Sequence, residues 1–192
     1  GSDQVGIHLA SVGQIIFHPP ELPTPIIETI QSVLGLETCA QSIGGSNLVG
    51  ALLSGNSRGI AVADIATDED IDKLTSYGDV VVMEGGVNTA GNLLLVNENG
   101  VVASPSVPHD GLEIIADVMG VNVVATTIAG QDVVGSLGVT NDQGVLLHPD
   151  VTPDEVALIE EVLRVPPMVG TVGFGSPYVG AGICTTNNGA LA

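Results

Sequence analysis

The chain has almost no cations. Arg58, Lys73 and Arg164 are its only basic residues against 22 acidic ones, and the formal net charge is −19. Affinity for a nucleic-acid backbone comes from Lys and Arg displacing counterions, so little direct nucleic-acid contact is expected. Aromatics are equally scarce at 2%, with no Trp. That removes base stacking as a recognition mode and leaves the core to Val, Ile, Leu and Ala. There are two cysteines, Cys39 and Cys184, far apart and each in an apolar stretch. Two such thiols make no disulfide framework, and both are expected to be small core residues in a reduced, cytoplasmic compartment. No apolar run approaches 18 residues, so no membrane span is expected. No charged segment followed by an apolar one opens the chain as a secretory signal would. The histidines are His8, His18, His109 and His148. None forms a His-Glu-x-x-His motif and none has a Cys at ligand spacing, so neither a metal nor a cofactor is expected.

What remains is apolar, acidic and rich in glycine. Apolar residues make up 44% of 192 residues, enough for one domain with a sizeable core. The shortage of Lys alongside the excess of acid reads as adaptation to high salt, where an acidic surface keeps a protein soluble. An ordinary acidic cytosolic protein is the plainer alternative. Basic proteins or small molecules are the partners such a surface suits.

The glycines recur. Gly50-Ala-Leu-Leu-Ser-Gly-Asn56-Ser-Arg-Gly59 is echoed by Gly91-Asn-Leu-Leu-Leu-Val-Asn97-Glu-Asn-Gly100, by Gly135-Ser-Leu-Gly-Val-Thr-Asn141-Asp-Gln-Gly144 and by Gly180-Ala-Gly-Ile-Cys-Thr-Thr-Asn187-Asn-Gly189. A weaker copy begins at Gly6. The steps between first glycines are 44, 41, 44 and 45 residues. A period of this size marks one supersecondary unit used several times. The apolar run after each first Gly is expected to be an inner strand. A second strand follows each second Gly, then a short acidic helix over residues 24–34, 67–74, 109–119 and 152–163. A third strand is expected over 37–42, 80–83, 121–127 and 168–172. Thr152 is the N-cap of the last helix, Pro153 its first residue and Glu155 the partner in a capping box. Val156, Ile159, Val162 and Leu163 form its buried stripe. Gly35 and Gly120 close two of the others. The expectation is a single α/β domain over 1–192, with repeats starting near residues 5, 45, 86, 130 and 175. Its strands lie inside and its helices outside a pseudo-five-fold body. The seam is expected to be incomplete: the first unit lacks an opening strand and the fifth lacks a helix.

Residues 42–59, 89–97 and 127–149 resemble the archaeal branch of the translation initiation factor 6 family, and the resemblance continues through 165–173 into Asn187-Asn-Gly189. It covers nearly the whole chain from Val5. It implies a pentein fold, a five-bladed α/β propeller. It implies a monomeric factor that binds the large ribosomal subunit, keeps the small subunit from joining and serves large-subunit maturation. The implied contact is a basic ribosomal protein beside the sarcin–ricin loop, with release by an elongation-factor-like GTPase and its cofactor. An acidic protein docking on a basic one is coherent with that role.

Asn56 and Asn141 precede turning glycines. Turn chemistry explains them, and the functional alternative is a rim that meets a partner. Asn92 differs: it stands where the other repeats carry Ala51, Ser136 or Ala181, at what is expected to be a strand mouth. By resemblance its Gly-Asn lies on the ribosome-contacting face. Ser46 and Asn47 complete the candidate partner-binding set. Their segment, Gly44-Gly45-Ser46-Asn47, lacks the Lys of a phosphate loop and reads as a backbone nest or tight crossing. No catalytic residue is assigned. Two rival readings stand beside the binding one: a pentein hydrolase of guanidine groups using Cys39 or Cys184, and a trimmed or engineered pentein scaffold without binding activity.

Overall fold

The computed structural model describes residues 4–84 and 88–192. The repeat boundary expected near residue 86 lies outside them. The first unit runs from a 3-10 turn, η1 (Val5–Ile7), through β1 (Ala10–Val12), β2 (Ile15–His18) and α1 (Thr24–Leu34) to β3 (Glu37–Ala40). The second has α2 (Val49–Leu52), β4 (Leu53–Gly55), β5 (Gly59–Ala63), α3 (Asp68–Leu74) and β6 (Asp79–Met83). The third has α4 (Ala90–Leu93), β7 (Leu94–Val96), β8 (Gly100–Ala103), α5 (His109–Met119) and β9 (Asn122–Ala125). The fourth has α6 (Val134–Leu137), β10 (Gly138–Thr140), β11 (Val145–Leu147), α7 (Pro153–Leu163) and β12 (Pro167–Val169). Within the described residues the fifth comprises α8 (Val179–Gly182), β13 (Cys184–Thr185) and β14 (Ala190–Leu191). In each of the first four, an antiparallel hairpin is joined by a third strand parallel to its second. The chain is therefore a mixed α/β protein built of small repeated sheets.

One expectation of the fold needs correction. The apolar run after each first glycine is not wholly strand: a helical turn that begins one residue before the glycine takes the first two residues of the run, as in Val49–Leu52 and Ala90–Leu93, and only then does the strand begin. β1 is the inner strand expected of the first unit.

The helical turns explain the glycines. A Cβ built on Gly50 would fall well inside 3.0 Å of the Gly6 carbonyl oxygen, and the same relation links Gly91 to Gly50, Gly135 to Gly91, Gly180 to Gly135 and Gly6 to Gly180. The five contacts form a closed cycle. Each turn rests its backbone on the preceding one, and only a residue without Cβ permits that approach.

The longer helices are wedges between sheets. Ile115 and Met119 of α5 are buried with Ala61 of the second unit and Val101 and Ala103 of the third. Ile159, Val162 and Leu163 of α7 are buried with Val102 of the third unit and Val145 and Leu147 of the fourth. Leu74 of α3 packs with Phe17 of the first unit and Ile60 and Val62 of the second. Ile30 and Leu34 of α1 meet Ile16 of their own unit and Cys184 of the fifth.

The surface charge is left uncompensated. The Arg58 guanidinium donates to the Gly120 carbonyl and Lys73 to the Ala40 carbonyl. Among the described residues the one side-chain contact between a basic and an acidic residue at ion-pair distance is the exposed His109–Glu113, 3.7 Å apart, charged on both sides only when the imidazole is protonated. Self-repulsion of the acids should therefore be felt at low salt, where the Debye length is about 30 Å at 0.01 M, and be screened at 1 M, where it is about 3 Å. The melting temperature is expected to rise between those two salt concentrations. A flat or falling one would remove the argument for salt adaptation.

Candidate partner-binding faces

Each helical turn leads into a three-residue or shorter strand and then a hairpin bend. The turns thus gather at one end of the body and the bends at the other. The candidate residues divide between these ends. Ser46, Asn47 and Asn92 belong with the turns, Asn56 and Asn141 with the bends.

At the bends, Asn56, Asn97 and Asn141 do one job. The Asn56 Oδ1 accepts from the N–H groups of Arg58 at 3.0 Å and Gly59 at 3.1 Å. Asn97 and Asn141 do the same two and three residues on. This is Asx-turn chemistry. The other half of each amide reaches across units. Asn56 Nδ2 donates to the Met119 carbonyl at 3.0 Å, and Asn97 Nδ2 to the Leu163 carbonyl at 2.9 Å. Each thus caps the C-terminal end of a neighbouring helix, whose last carbonyls lack intrahelical donors. Asn56 is 2% exposed, so its side chain is committed within the chain. Asn141 is half-buried and turns its Nδ2 to the Thr186 carbonyl at 2.8 Å.

The bends are stitched tip to tip. Ser57 donates through N–H and Oγ to Glu98, the Glu98 N–H donates to Asp142, and the Asp142 N–H to Asn187. Glu98, Asp142, Asn97, Asn141 and Asn187 line a polar cavity of about 240 Å³ there. Glu98 and Asp142 were not singled out from sequence, because nothing local shows that residues 44 apart meet.

At the other end Asn92 lies in the α4 turn, not at a strand mouth. It is half-buried, and its Oδ1 accepts from Ser136 Oγ at 3.0 Å. Asn47 Nδ2 donates to Glu21 at 3.3 Å, and Ser46 Oγ accepts from the Leu48 N–H at 3.2 Å. Leu48 and Tyr178 stand just before two of the turns and are 43% and 46% exposed. Neither was a candidate from sequence; the signal was an apolar or aromatic residue directly ahead of each Val-Gly pair.

The Gly44-Gly45 segment is a nest, and it holds an anion of the chain itself. The Gly44 N–H donates to Asp70 at 2.8 Å, while Asp70 also accepts from the Thr67 N–H and Gln41 Nε2. Burial pushes the Asp70 carboxyl up, but those bonds outweigh it and its pKa is lowered. The fourth unit repeats the device with more bonds. Glu155, 9% exposed, accepts from the N–H groups of Ala129, Gly130 and Thr152 and from the hydroxyls of Thr127 and Thr152. Burial again acts upward, and the hydrogen bonds again win, holding the carboxyl at about 2. One carboxylate therefore closes its own capping box and latches the loop of the preceding unit.

The family model described as the eIF-6 family matches residues 1–192. The chain belongs to the eIF-6 family. Among its relatives, the translation initiation factor 6 of Methanopyrus kandleri is 46% identical over 184 residues, covering 95% of this chain and 83% of the relative. That of the archaeon Halorubrum lacusprofundi is 40% identical over 191 residues, 98% and 86%. That of Methanocella arvoryzae is 37% identical over 191 residues, 100% and 86%. These eIF-6 relatives are named as translation initiation factors.

Against that membership the thiols offer little chemistry. Cys184 is buried, and burial pushes its thiol up to about 12, far from the thiolate a nucleophile needs. Cys39 is half-buried against Tyr77; its hydrogen bond raises the Tyr77 hydroxyl, with burial adding to the effect. Among the described residues no group of three His, Cys, Asp or Glu side chains is placed to hold a metal ion, and no helix is long and apolar enough to cross a membrane.

Proposed function

We propose that this chain is a pentein-fold, cytoplasmic translation factor that binds the large ribosomal subunit, prevents premature joining of the small subunit and serves large-subunit maturation. The observation that carries the reading is the eIF-6 family match along residues 1–192. The unpaired acidic surface supports it, because complementary charge speeds encounter and fixes register with a basic ribosomal protein, here one beside the sarcin–ricin loop. Release falls to an elongation-factor-like GTPase with its cofactor. Asn92, Ser46 and Asn47 share the end formed by the helical turns, and we assign the contact to that end, with Asn92 at its centre. Asn141, at the opposite end, is a secondary candidate.

Added in excess, the protein is expected to co-sediment with large subunits and lower the yield of joined ribosomes. Equal binding to both subunits would overturn the reading. Asn92→Ser loses the bond to Ser136 and the amide offered to a partner. It should weaken co-sedimentation while changing stability by less than about 1 kcal/mol, the scale of one net hydrogen bond. Undiminished binding, or a large drop in melting temperature, would return Asn92 to a purely structural role.

A further inference from the structure

Asn-Gly occurs twice in the chain, as Asn99-Gly100 and Asn188-Gly189. Both close a hairpin bend. A glycine, with no Cβ, leaves its amide nitrogen open to approach the Cγ of the preceding asparagine, so each pair can cyclise to a five-membered imide. The structure holds the two glycine N–H groups differently. In the third unit the Gly100 N–H donates to Asn97 Oδ1 at 3.1 Å. Gly100 is buried there and Asn99 half-buried. Gly59 and Gly144 make the same bond to Asn56 and Asn141, at 3.1 and 3.0 Å.

The bend of the fifth unit departs from this. Thr186 stands three residues before its glycine, where the other bends carry Asn56, Asn97 and Asn141. A threonine hydroxyl reaches less far along the bend than an asparagine amide. Its Oγ1 accepts from the Asn188 N–H at 3.1 Å and donates to the Leu34 carbonyl at 2.6 Å. It makes no bond to Gly189, whose N–H has no acceptor among the described residues. Asn188 is exposed. Its Nδ2 lies 3.5 Å from the Leu34 carbonyl oxygen and 3.4 Å from that of Gly35, at the end of α1.

We propose that Asn188 is a site of spontaneous covalent modification, converting to aspartate and isoaspartate while Asn99 is protected, and that the conversion loosens the boundary between the first and last units. The Gly189 nitrogen gives up its proton and attacks Asn188 Cγ. The new N–Cγ bond closes the imide, the Cγ–Nδ2 bond breaks, and Nδ2 takes up a proton and leaves as ammonia. Water then opens the ring, at Cγ to give aspartate or at the Asn188 backbone carbonyl carbon to give isoaspartate. At Gly100 the same attack must first break the bond to Asn97 inside a buried bend. Either product places a carboxylate where an amide donor faced the last carbonyls of α1, and negative charge is unfavourable at a helix C-terminus.

The full chain is aged at mildly alkaline pH and mapped by peptide mass spectrometry, which reads the exchange of amide for acid at each asparagine. Conversion at Asn188 is expected to outrun that at Asn99 by about tenfold or more, the rate equivalent of about 1.4 kcal/mol and the scale of one net hydrogen bond. In concentrated urea, where neither bend is folded, the two rates should converge. Thr186→Asn restores a partner for the Gly189 N–H and should slow conversion at Asn188 to the pace of Asn99; circular dichroism shows that this variant remains folded. Asn188→Asp should melt at a lower temperature than Asn188→Ser, which loses the amide without adding charge. Equal rates at the two sites in the folded chain overturn the proposal, as does a tenfold gap that persists in urea or an unchanged rate in folded Thr186→Asn. Equal melting of Asn188→Asp and Asn188→Ser would overturn the loosening of the boundary.

Discussion

Gly91→Ala should leave a chain that cannot close. The new methyl would lie well inside 3.0 Å of the Gly50 carbonyl oxygen and no farther than 3.0 Å from that of Leu53. Both are backbone atoms, one in the α2 turn and one at the start of β4, so neither can swing aside as a side-chain tip would. Overpacking a core usually costs about 1–3 kcal/mol through side-chain and backbone shifts. Here the shift must pass to the next contact of a cycle, so the loss should exceed about 3 kcal/mol, among the larger single-site effects. Urea unfolding measures it. Gly144→Ala is the control: it adds the same atom at ordinary contact distance and should stay within about 1 kcal/mol of the parent. If both variants unfold alike, close approach at the turns is not what requires glycine.

Glu155→Gln should remove the strongest latch between units. The carboxylate accepts five bonds, and bonds to a charged group are about twice as strong as neutral ones. Its pKa, about 2 in the folded chain against 4.5 ordinarily, fixes the pH dependence. The folded value is depressed, so the stabilisation is full above about 4.5 and is lost as the pH falls towards 2. At neutral pH the variant should be less stable by on the order of 2–3 kcal/mol. The gap between parent and variant should narrow across the acid range and close near pH 2. Comparing the two isolates this residue, because protonating the many surface acids relieves repulsion in both alike. A gap that does not change with pH would show that the Glu155 charge contributes nothing to the latch.

The longer helices were legible because their ends carry local chemistry. Thr152 and Glu155 form the capping box read from their spacing, and Gly35 and Gly120 sit at φ 66° and 63°, as helix-closing glycines should. The short turns were misread as strand because four residues, such as Val49–Leu52, are too few to display a helical period. The turn role of Asn56 and Asn141 follows from Asn preceding Gly at fixed distance. Their second bonds do not, since Met119 and Thr186 are 63 and 45 residues away. The same blindness hid the Asn92–Ser136 pair and the partner of the Gly44-Gly45 nest. The sequence periodicity marked which glycines are equivalent, but only the cycle of carbonyl contacts gives their reason.

The closed cycle also bears on how fast the molecule forms. Most contacts between units join groups about one repeat apart, such as Asn97 and Asn141 at 44 residues. The last boundary joins Thr186 to the Leu34 carbonyl across 152 residues. Loop-closure entropy rises only logarithmically, by about 0.6 kcal/mol per doubling, so this contact costs about 1 kcal/mol more than its neighbours. That penalty is small at equilibrium, yet it places the closing step late: four boundaries can zip in sequence order before the fifth finds its mate. Refolding should therefore be paced by the meeting of the first and last units, as in other proteins rich in distant contacts.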